Sequence, residues 1–127
     1  MREEKGAVIF AGVIAADQLA KYLSRLFGFA SVNQGISFNL LPHHSIVPLL
    51  SLIILIGAAV WHYRSPHFSL LLILAGGLSN FVDRLIWGGV VDFISLPLLP
   101  AFNLADVAIC LGGFFLIVDL LKLKTIS

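Results

Sequence analysis

The chain has 127 residues, of which 59% are hydrophobic and only 12% are charged, and its formal net charge is +1. This composition excludes a water-soluble globular domain, because so few polar residues cannot cover the surface of one. The near-neutral charge gives no indication of nucleic-acid binding. The single cysteine, Cys110, excludes a disulfide or a cysteine-based metal site within one chain. We therefore expect an integral membrane protein that binds no nucleic acid.

Four apolar stretches predict the fold. A helix that crosses about 30 Å of hydrocarbon needs about 20 apolar residues. The predicted spans cover residues 7–27, 45–62, 68–87 and 102–121. They use most of the sequence, so we expect one all-α domain over residues 1–127, with neither a soluble domain nor a cleaved signal peptide.

The first predicted span contains two charged residues, Asp17 and Lys21, four positions apart. Residues at this spacing lie on one face of a helix, and charged side chains inside a membrane are typically paired. The pattern favours a buried ion pair that fixes helix packing over direct contact with a substrate.

The first loop, residues 28–42, mixes Phe, Val, Asn, Gln, Gly and Ser, which favours a small extended, β-like element on the outer face of the membrane. His43 and His44 follow, but adjacent loop residues point in different directions and no carboxylate lies at ligand spacing. The sequence also lacks the GxSxG and HExxH motifs of serine and zinc hydrolases. We therefore predict no metal and no cofactor.

The third predicted span carries Asn80, Asp83 and Arg84 on one helical face near its outer end. Asp83 and Arg84 are expected to pair. Asn80 and Arg84 are also suited to bind carbonyl or ester oxygens of a molecule in the membrane, so structural and ligand-binding roles are both open. The glycine pairs 76–77 and 112–113 are expected to be sites of close helix packing.

Two further aspartates flank the third loop. Gly88 and Gly89 predict a turn into a short β-like segment that carries Asp92, while Asn103 is placed to cap the fourth helix, with Asp106 one turn further on. Both carboxylates are then at the same depth. Two such groups can share a proton and activate water between them, which indicates an intramembrane aspartyl protease. The structural alternative is a pair of satisfied loop or helix-end carboxylates.

The basic residues predict the orientation. Lys and Arg are enriched in cytoplasmic segments of membrane proteins. They flank the predicted spans at both termini and in the second loop: Arg2, Lys5, Arg64, Lys122 and Lys124. Both termini are therefore predicted to be cytoplasmic, with the two aspartates near the outer face of a cytoplasmic (inner) membrane.

Five motifs, in order along the chain, resemble those of the bacterial lipoprotein signal peptidases, also called type II signal peptidases. They are DQLAK (17–21), NQGISF (33–38), GGLSNFVDRL (76–85), GGVVDFI (88–94) and FNLADVAI (102–109). The resemblance implies a four-helix aspartyl protease that removes the signal peptide of diacylglyceryl-modified prolipoproteins, cutting before the lipidated cysteine.

The resemblance also implies roles for particular residues. It assigns catalysis to Asp92 and Asp106. It assigns substrate binding to four residues: Asn33, Asn80, Arg84 and Asn103. It assigns support of the site to four others: Asp17, Lys21, Gly35 and Asp83. The implied partners are the prolipoprotein, membrane lipids and the cyclic-peptide antibiotics that inhibit the family. We also expect a monomer.

The chain is shorter than the family pattern. Only eleven residues separate Lys21 from Asn33, and the stretch between Asp92 and Asp106 is compressed. We therefore expect a shortened member with a reduced outer cradle and lid. Two alternatives stay open: an inactive or repurposed member, and a non-enzymatic membrane protein such as a small proton-coupled transporter.

Overall fold

The computed structural model describes residues 2–33 and 46–126. In these residues the chain forms four helices and two short strands. In chain order they are α1 (Arg2–Leu26), β1 (Ser31–Asn33), α2 (Ile46–Arg64), α3 (Phe68–Trp87), β2 (Val90–Asp92) and α4 (Leu104–Ile126). All four helices are long and apolar enough to cross a membrane. The predicted fold, four membrane helices with a small β-like element, is confirmed.

The ends of two helices differ from the predicted spans by more than two residues. The first helix begins at Arg2 rather than residue 7, and the fourth runs from Leu104 to Ile126 rather than over residues 102–121. Hydropathy detects only the apolar part of a helix. The acidic first turn of α1 and the lysine-bearing last turn of α4 extend beyond that part, and charges of these signs stabilise the respective helix ends.

Helix α3 is central, since it packs against α1, α2 and α4. Two glycines allow its close approach to α4. A Cβ at Gly76 would lie 2.4 Å from the carbonyl oxygen of Ala105, and one at Gly112 would lie 2.7 Å from that of Ser69. The close-packing prediction therefore holds for these two positions, and also for Gly77, where a Cβ would lie 2.7 Å from Leu55 Cδ2 on α2. It is wrong for Gly113, where a Cβ would meet nothing within 4 Å.

The described part of the chain has a polar interior and an apolar exterior. Most large apolar side chains, including nearly all of those on α2, face outward. The buried polar and charged residues lie mainly where α1, α3 and α4 meet: Asp17, Lys21, Ser24, Ser69, Ser79, Asn80, Asp83, Asp92 and Asn103. This is the arrangement expected of a bundle whose solvent is lipid, because buried polar groups then need partners within the protein.

A small sheet covers one end of the bundle. Gly88 ends α3 in the left-handed conformation, with φ of 76°, and the chain turns directly into β2. Strand β1 pairs antiparallel with β2, with Ser31 opposite Asp92. The predicted turn and β-like segment are therefore present. The remainder of the predicted outer element, with Gly35, lies outside the described residues, as do His43 and His44.

Candidate active site

Asp92 and Asp106 line the same cavity, at the end of the bundle that carries the sheet; we call this the site end. Asp92 is the last residue of β2, and Asp106 lies in the first turn of α4. The centre of a water molecule can occupy about 20 Å³ of this cavity, so the cavity has room for about one water molecule. Its lining consists of Asn33, Asn80, Arg84, Val90, Asp92, Ala101 and Asp106.

Asn103 touches both carboxylates. Its side-chain oxygen accepts a hydrogen bond from the backbone N–H of Asp106 at 2.8 Å, and its own backbone N–H donates to Asp106 Oδ2 at 3.2 Å. This reciprocal pair is a capping box at the start of α4, so the predicted cap is present. The side-chain amide nitrogen of Asn103 donates to Asp92 Oδ1 at 3.1 Å. One residue therefore fixes the relative positions of the two acids.

Asn80 connects this pair to the helix core. Its amide nitrogen donates to Asp106 Oδ1 at 3.0 Å. Its oxygen accepts from Lys21 Nζ at 3.0 Å and from the amide nitrogen of Asn103 at 3.1 Å. Asn80 on α3 thus contacts groups on both α1 and α4.

Lys21 pairs with two carboxylates rather than one. Its ammonium nitrogen lies 2.5 Å from Asp17 Oδ2 and 2.6 Å from Asp83 Oδ2, and all three side chains are at most 1% exposed. The predicted pairing of Asp17 with Lys21 is therefore confirmed. The predicted pairing of Asp83 with Arg84 is wrong: adjacent residues are about 100° apart around a helix, so Asp83 faces Lys21 while Arg84 lines the cavity.

Asp17 and Asp83 also hold the elements that carry the two acids. Asp17 Oδ1 accepts from the backbone N–H of Ala105 at 2.9 Å, in the first turn of α4. Asp83 Oδ2 accepts from the backbone N–H of Val91 at 3.1 Å, in β2. Each buried carboxylate therefore satisfies a backbone group next to one of the cavity aspartates, and it does so from a different helix.

Gln18 and Ser79 complete the network and were missed by the sequence reasoning. The amide nitrogen of Gln18 lies 2.9 Å from both Ser79 Oγ and Asp83 Oδ1, and Ser79 Oγ donates to Asp17 Oδ2 at 2.6 Å. The available signal was their position: each is a polar residue inside an apolar span, next to a residue already singled out.

The electrostatics of the cavity raise the pKa of Asp92. The pKa of Asp92 is raised from its ordinary value of 3.8 to about 7, mainly by burial and also by the negative charge of Asp106. The charge of Lys21 and hydrogen bonds from Asn33 and Asn103 oppose this rise in pKa. Near neutral pH, Asp92 therefore exists in both protonation states, beside a second carboxyl group.

The remaining expected site residues are distributed as follows. Asn33, at the end of β1, and Arg84, on α3, both line the cavity. Gly35 lies outside the described residues. Within residues 2–33 and 46–126, no three His, Cys, Asp or Glu side chains are grouped so as to hold a metal ion.

The sequence matches the family described as signal peptidase (SPase) II over residues 9–122. The chain belongs to this family. A lipoprotein signal peptidase of Moorella thermoacetica is 37% identical, over 86% of this chain and 87% of the relative. One from Pelotomaculum thermopropionicum is 40% identical, over 67% of this chain and 60% of the relative.

Two solved structures of bacterial membrane enzymes, determined by the in meso method, share the fold. One, at 2.3 Å resolution, has a TM-score of 0.84 and covers 94% of this chain and 88% of its own. The other, at 1.9 Å, has a TM-score of 0.81 and covers 94% of both chains, and each is 26% identical to this sequence. This signal peptidase II family member is thus a multi-pass membrane protein and a peptidase.

Proposed function

We propose that this peptidase is an aspartic endopeptidase that removes signal peptides from diacylglyceryl-modified prolipoproteins, cutting before the lipidated cysteine. Asp92 and Asp106 are its catalytic residues. The observation that carries the proposal is the bridge by Asn103, which holds both carboxyl groups on a cavity large enough for about one water molecule. Two acids with one water between them are the components of aspartic-protease chemistry.

The geometry supports different roles for the two acids. Both oxygens of Asp106 accept hydrogen bonds, from Asn80 and from the backbone of Asn103, and Asp106 lies in the first turn of a helix, where negative charge is stabilised. Asp106 is therefore the ionised base that removes a proton from the attacking water. Asp92, with its raised pKa, carries the proton that polarises the scissile carbonyl and is then passed to the leaving amine.

Arg84 and Asn33 bind the substrate next to these acids. Both line the cavity, and the guanidinium and amide groups can donate hydrogen bonds to backbone carbonyls on either side of the scissile bond. Because the cavity lies at an end of the helices, the diacylglyceryl tails stay in lipid while the peptide bond meets water. The cyclic-peptide antibiotics that inhibit the family compete for these same groups. The enzyme acts as a monomer without a cofactor.

The decisive test is cleavage of a lipidated prolipoprotein by the purified enzyme in lipid, followed as a mobility shift on a gel. Asp92→Asn and Asp106→Asn keep the shape of each side chain and remove its ionisation, so each should abolish cleavage while the protein stays folded. Asp119→Asn, a carboxylate near the opposite end of α4, is the matched control and should cleave normally. Near wild-type turnover in either cavity variant would refute the catalytic assignment.

We also propose a cytoplasmic-membrane location with both termini cytoplasmic and the site at the outer face. Cysteines introduced singly at the exposed residues Ser31 and Ser65 test the orientation, in a Cys110→Ala background. An impermeant thiol reagent added to intact cells should label position 31 and leave position 65 unlabelled, because the two residues lie at opposite ends of the bundle. The reverse pattern would invert the orientation.

A further inference from the structure

The segment between the two acids forms a hairpin without charged residues. Its base is closed by backbone hydrogen bonds between Ile94 and Phe102, which exchange N–H and C=O groups at 2.9 Å in both directions. Near its tip, the N–H of Leu99 donates to the oxygen of Leu96 at 3.3 Å. No Asp, Glu, Lys or Arg occurs from residue 93 to residue 105.

Three leucines at the end of this hairpin face away from the protein; we call Leu96, Leu98 and Leu99 the leucine tip. Leu98 is fully exposed, and the exposed fractions of Leu96 and Leu99 are 49% and 56%. Leu98 also has φ of +68°, the one positive φ among the described non-glycine residues. A branched side chain adopts this conformation at a cost in free energy, and no described residue covers Leu98 in return.

We infer that the leucine tip inserts into the hydrocarbon of the leaflet at the site end. Apolar contact with lipid supplies the stabilisation that the strained and uncovered Leu98 lacks within the described part of the chain. Because the hairpin has no charged side chain, no ionised group has to leave water when the leucine side chains enter hydrocarbon. The tip is also continuous along the chain with a surface that already faces lipid, since Leu104 and Val107 in the first turn of α4 are exposed apolar residues.

The size of the tip favours lipid over a second protein chain as its partner. A stable protein interface buries roughly 1,200 to 2,000 Å² of total surface. Three leucine side chains supply far less than this, and no charged residue on the hairpin would specify a partner. Lipid, in contrast, can take up a small apolar patch, because burial of apolar surface in hydrocarbon is favourable whatever the size of the patch.

Insertion would act on the cavity through the hairpin itself. Asp92 lies two residues before Ile94, at one side of the closed base, and Asp106 lies four residues after Phe102, at the other. An inserted tip would therefore anchor the segment between the two acids at the membrane surface, in addition to the anchoring that α4 gives Asp106. This inference concerns binding to lipid and does not depend on the proposed catalytic roles.

A depth-sensitive fluorescent label tests insertion without any substrate. The label is attached to a cysteine at position 98, in a Cys110→Ala background, and is read in nanodiscs that hold one protein chain each. Phospholipids brominated along the acyl chains quench a label in hydrocarbon, and iodide quenches one in water. We expect strong lipid quenching and protection from iodide at position 98, with the opposite result at the exposed strand residue Ser31.

Two substitutions at Leu98 separate insertion from folding, with the label moved to a cysteine at position 96. Leu98→Asn tolerates the left-handed conformation but is polar, so lipid quenching should be lost while the melting temperature in detergent stays unchanged or rises. Leu98→Met keeps both the apolar character and the strain, and should retain lipid quenching.

Three results would overturn the inference. The first is iodide quenching at position 98 without lipid quenching. The second is protection from both quenchers in single-chain nanodiscs, which would mean that another part of the same chain covers the tip. The third is protection that occurs only when several chains share a vesicle, which would identify a second copy as the partner.

Discussion

The ammonium group of Lys21 lies 3.0 Å from the side-chain oxygen of Asn80, and this contact determines which end of the Asn80 amide faces Asp106. An ammonium group can only donate, so it binds the oxygen of the amide and leaves the nitrogen to donate elsewhere. That nitrogen donates to Asp106 at 3.0 Å. A buried cation on α1 therefore orients the hydrogen bonding of a carboxylate on α4.

Removing this cation should destabilise the protein strongly. Lys21→Met leaves Asp17 and Asp83 buried without a counter-charge, and removal of one partner from a buried ion pair costs about 3 to 5 kcal/mol. The triple variant Asp17→Asn, Lys21→Met and Asp83→Asn leaves no unpaired charge and should be more stable than Lys21→Met alone. Thermal unfolding in detergent measures both, and equal stability would show that the three charges are not coupled.

The double replacement of Asp17 and Lys21 is a sharper comparison. If these two residues formed an isolated pair, replacing both by neutral residues would be enough to remove the free-energy cost of a buried, unpaired charge. Because Lys21 also neutralises Asp83, the double variant should remain less stable than the triple variant. A double variant as stable as the triple one would contradict the shared ion pair.

Substitutions can separate the two functions of Asn103, which caps α4 and donates a hydrogen bond to Asp92. Asn103→Ser keeps an oxygen that caps α4, so it should be about 1 kcal/mol more stable than Asn103→Ala, although both variants lose the buried hydrogen bonds that the amide donates. Both remove the donor to Asp92, a bond to an ionisable group of about 1.5 to 3 kcal/mol. Both should therefore lower kcat by roughly 10- to 100-fold. Normal kcat in a stable Asn103→Ser variant would remove Asn103 from the positioning of Asp92.

The raised pKa of Asp92 predicts how stability depends on pH. The unfolded carboxyl group loses its proton near pH 3.8, while the folded one keeps it until about pH 7. Between these values the folded state binds more protons, so the free energy of unfolding falls as the pH rises. The Asp92→Asn variant lacks this contribution. The difference in melting temperature, variant minus wild type, should therefore increase from pH 4 to pH 7 and then level off; a difference that does not change with pH would contradict the shift.

Because Gly76 contacts α4 closely, alanine substitutions at Gly76 and at Gly113 should differ in their effects on stability and activity. Gly76→Ala places a methyl group against the backbone of Ala105 and forces α3 and α4 apart, which should cost about 1 to 3 kcal/mol. Activity should fall as well, because Asn80 and Asp106 lie on the separated helices. Gly113→Ala meets nothing within 4 Å and is the matched control. Thermal unfolding and cleavage assays on both variants check this, and equal effects would exclude the packing explanation.

The sequence predicted those features that depend on local spacing. Hydropathy located four helices because length and apolarity decide whether a segment crosses a membrane. The Asp17–Lys21 pair and the Asn103 cap were predictable because each joins residues three or four positions apart on one helix. These predictions needed no knowledge of how the helices pack.

Contacts between helices could not be predicted in the same way. The choice of Lys21 rather than Arg84 as the partner of Asp83 depends on which face of α3 meets α1, and spacing within α3 does not contain that information. The same holds for Asp17, whose second oxygen binds the backbone of α4. Gln18 and Ser79 were overlooked because neither carries a charge, and their importance follows only from the carboxylates that they contact.

The distribution of charge between α1 and α3 has a consequence for biogenesis. Asp17 and Lys21 enter the bilayer on one helix, already paired, whereas Asp83 enters later on α3 and finds its cation on α1. A helix with an unpaired carboxylate partitions poorly into hydrocarbon, so we expect α3 to insert efficiently only while α1 remains beside it. The order of synthesis then matters, because the ribosome delivers the helix with the cation first. A circularly permuted chain in which α3 precedes α1 should accumulate with α3 outside the membrane, even though its sequence would encode the same native contacts.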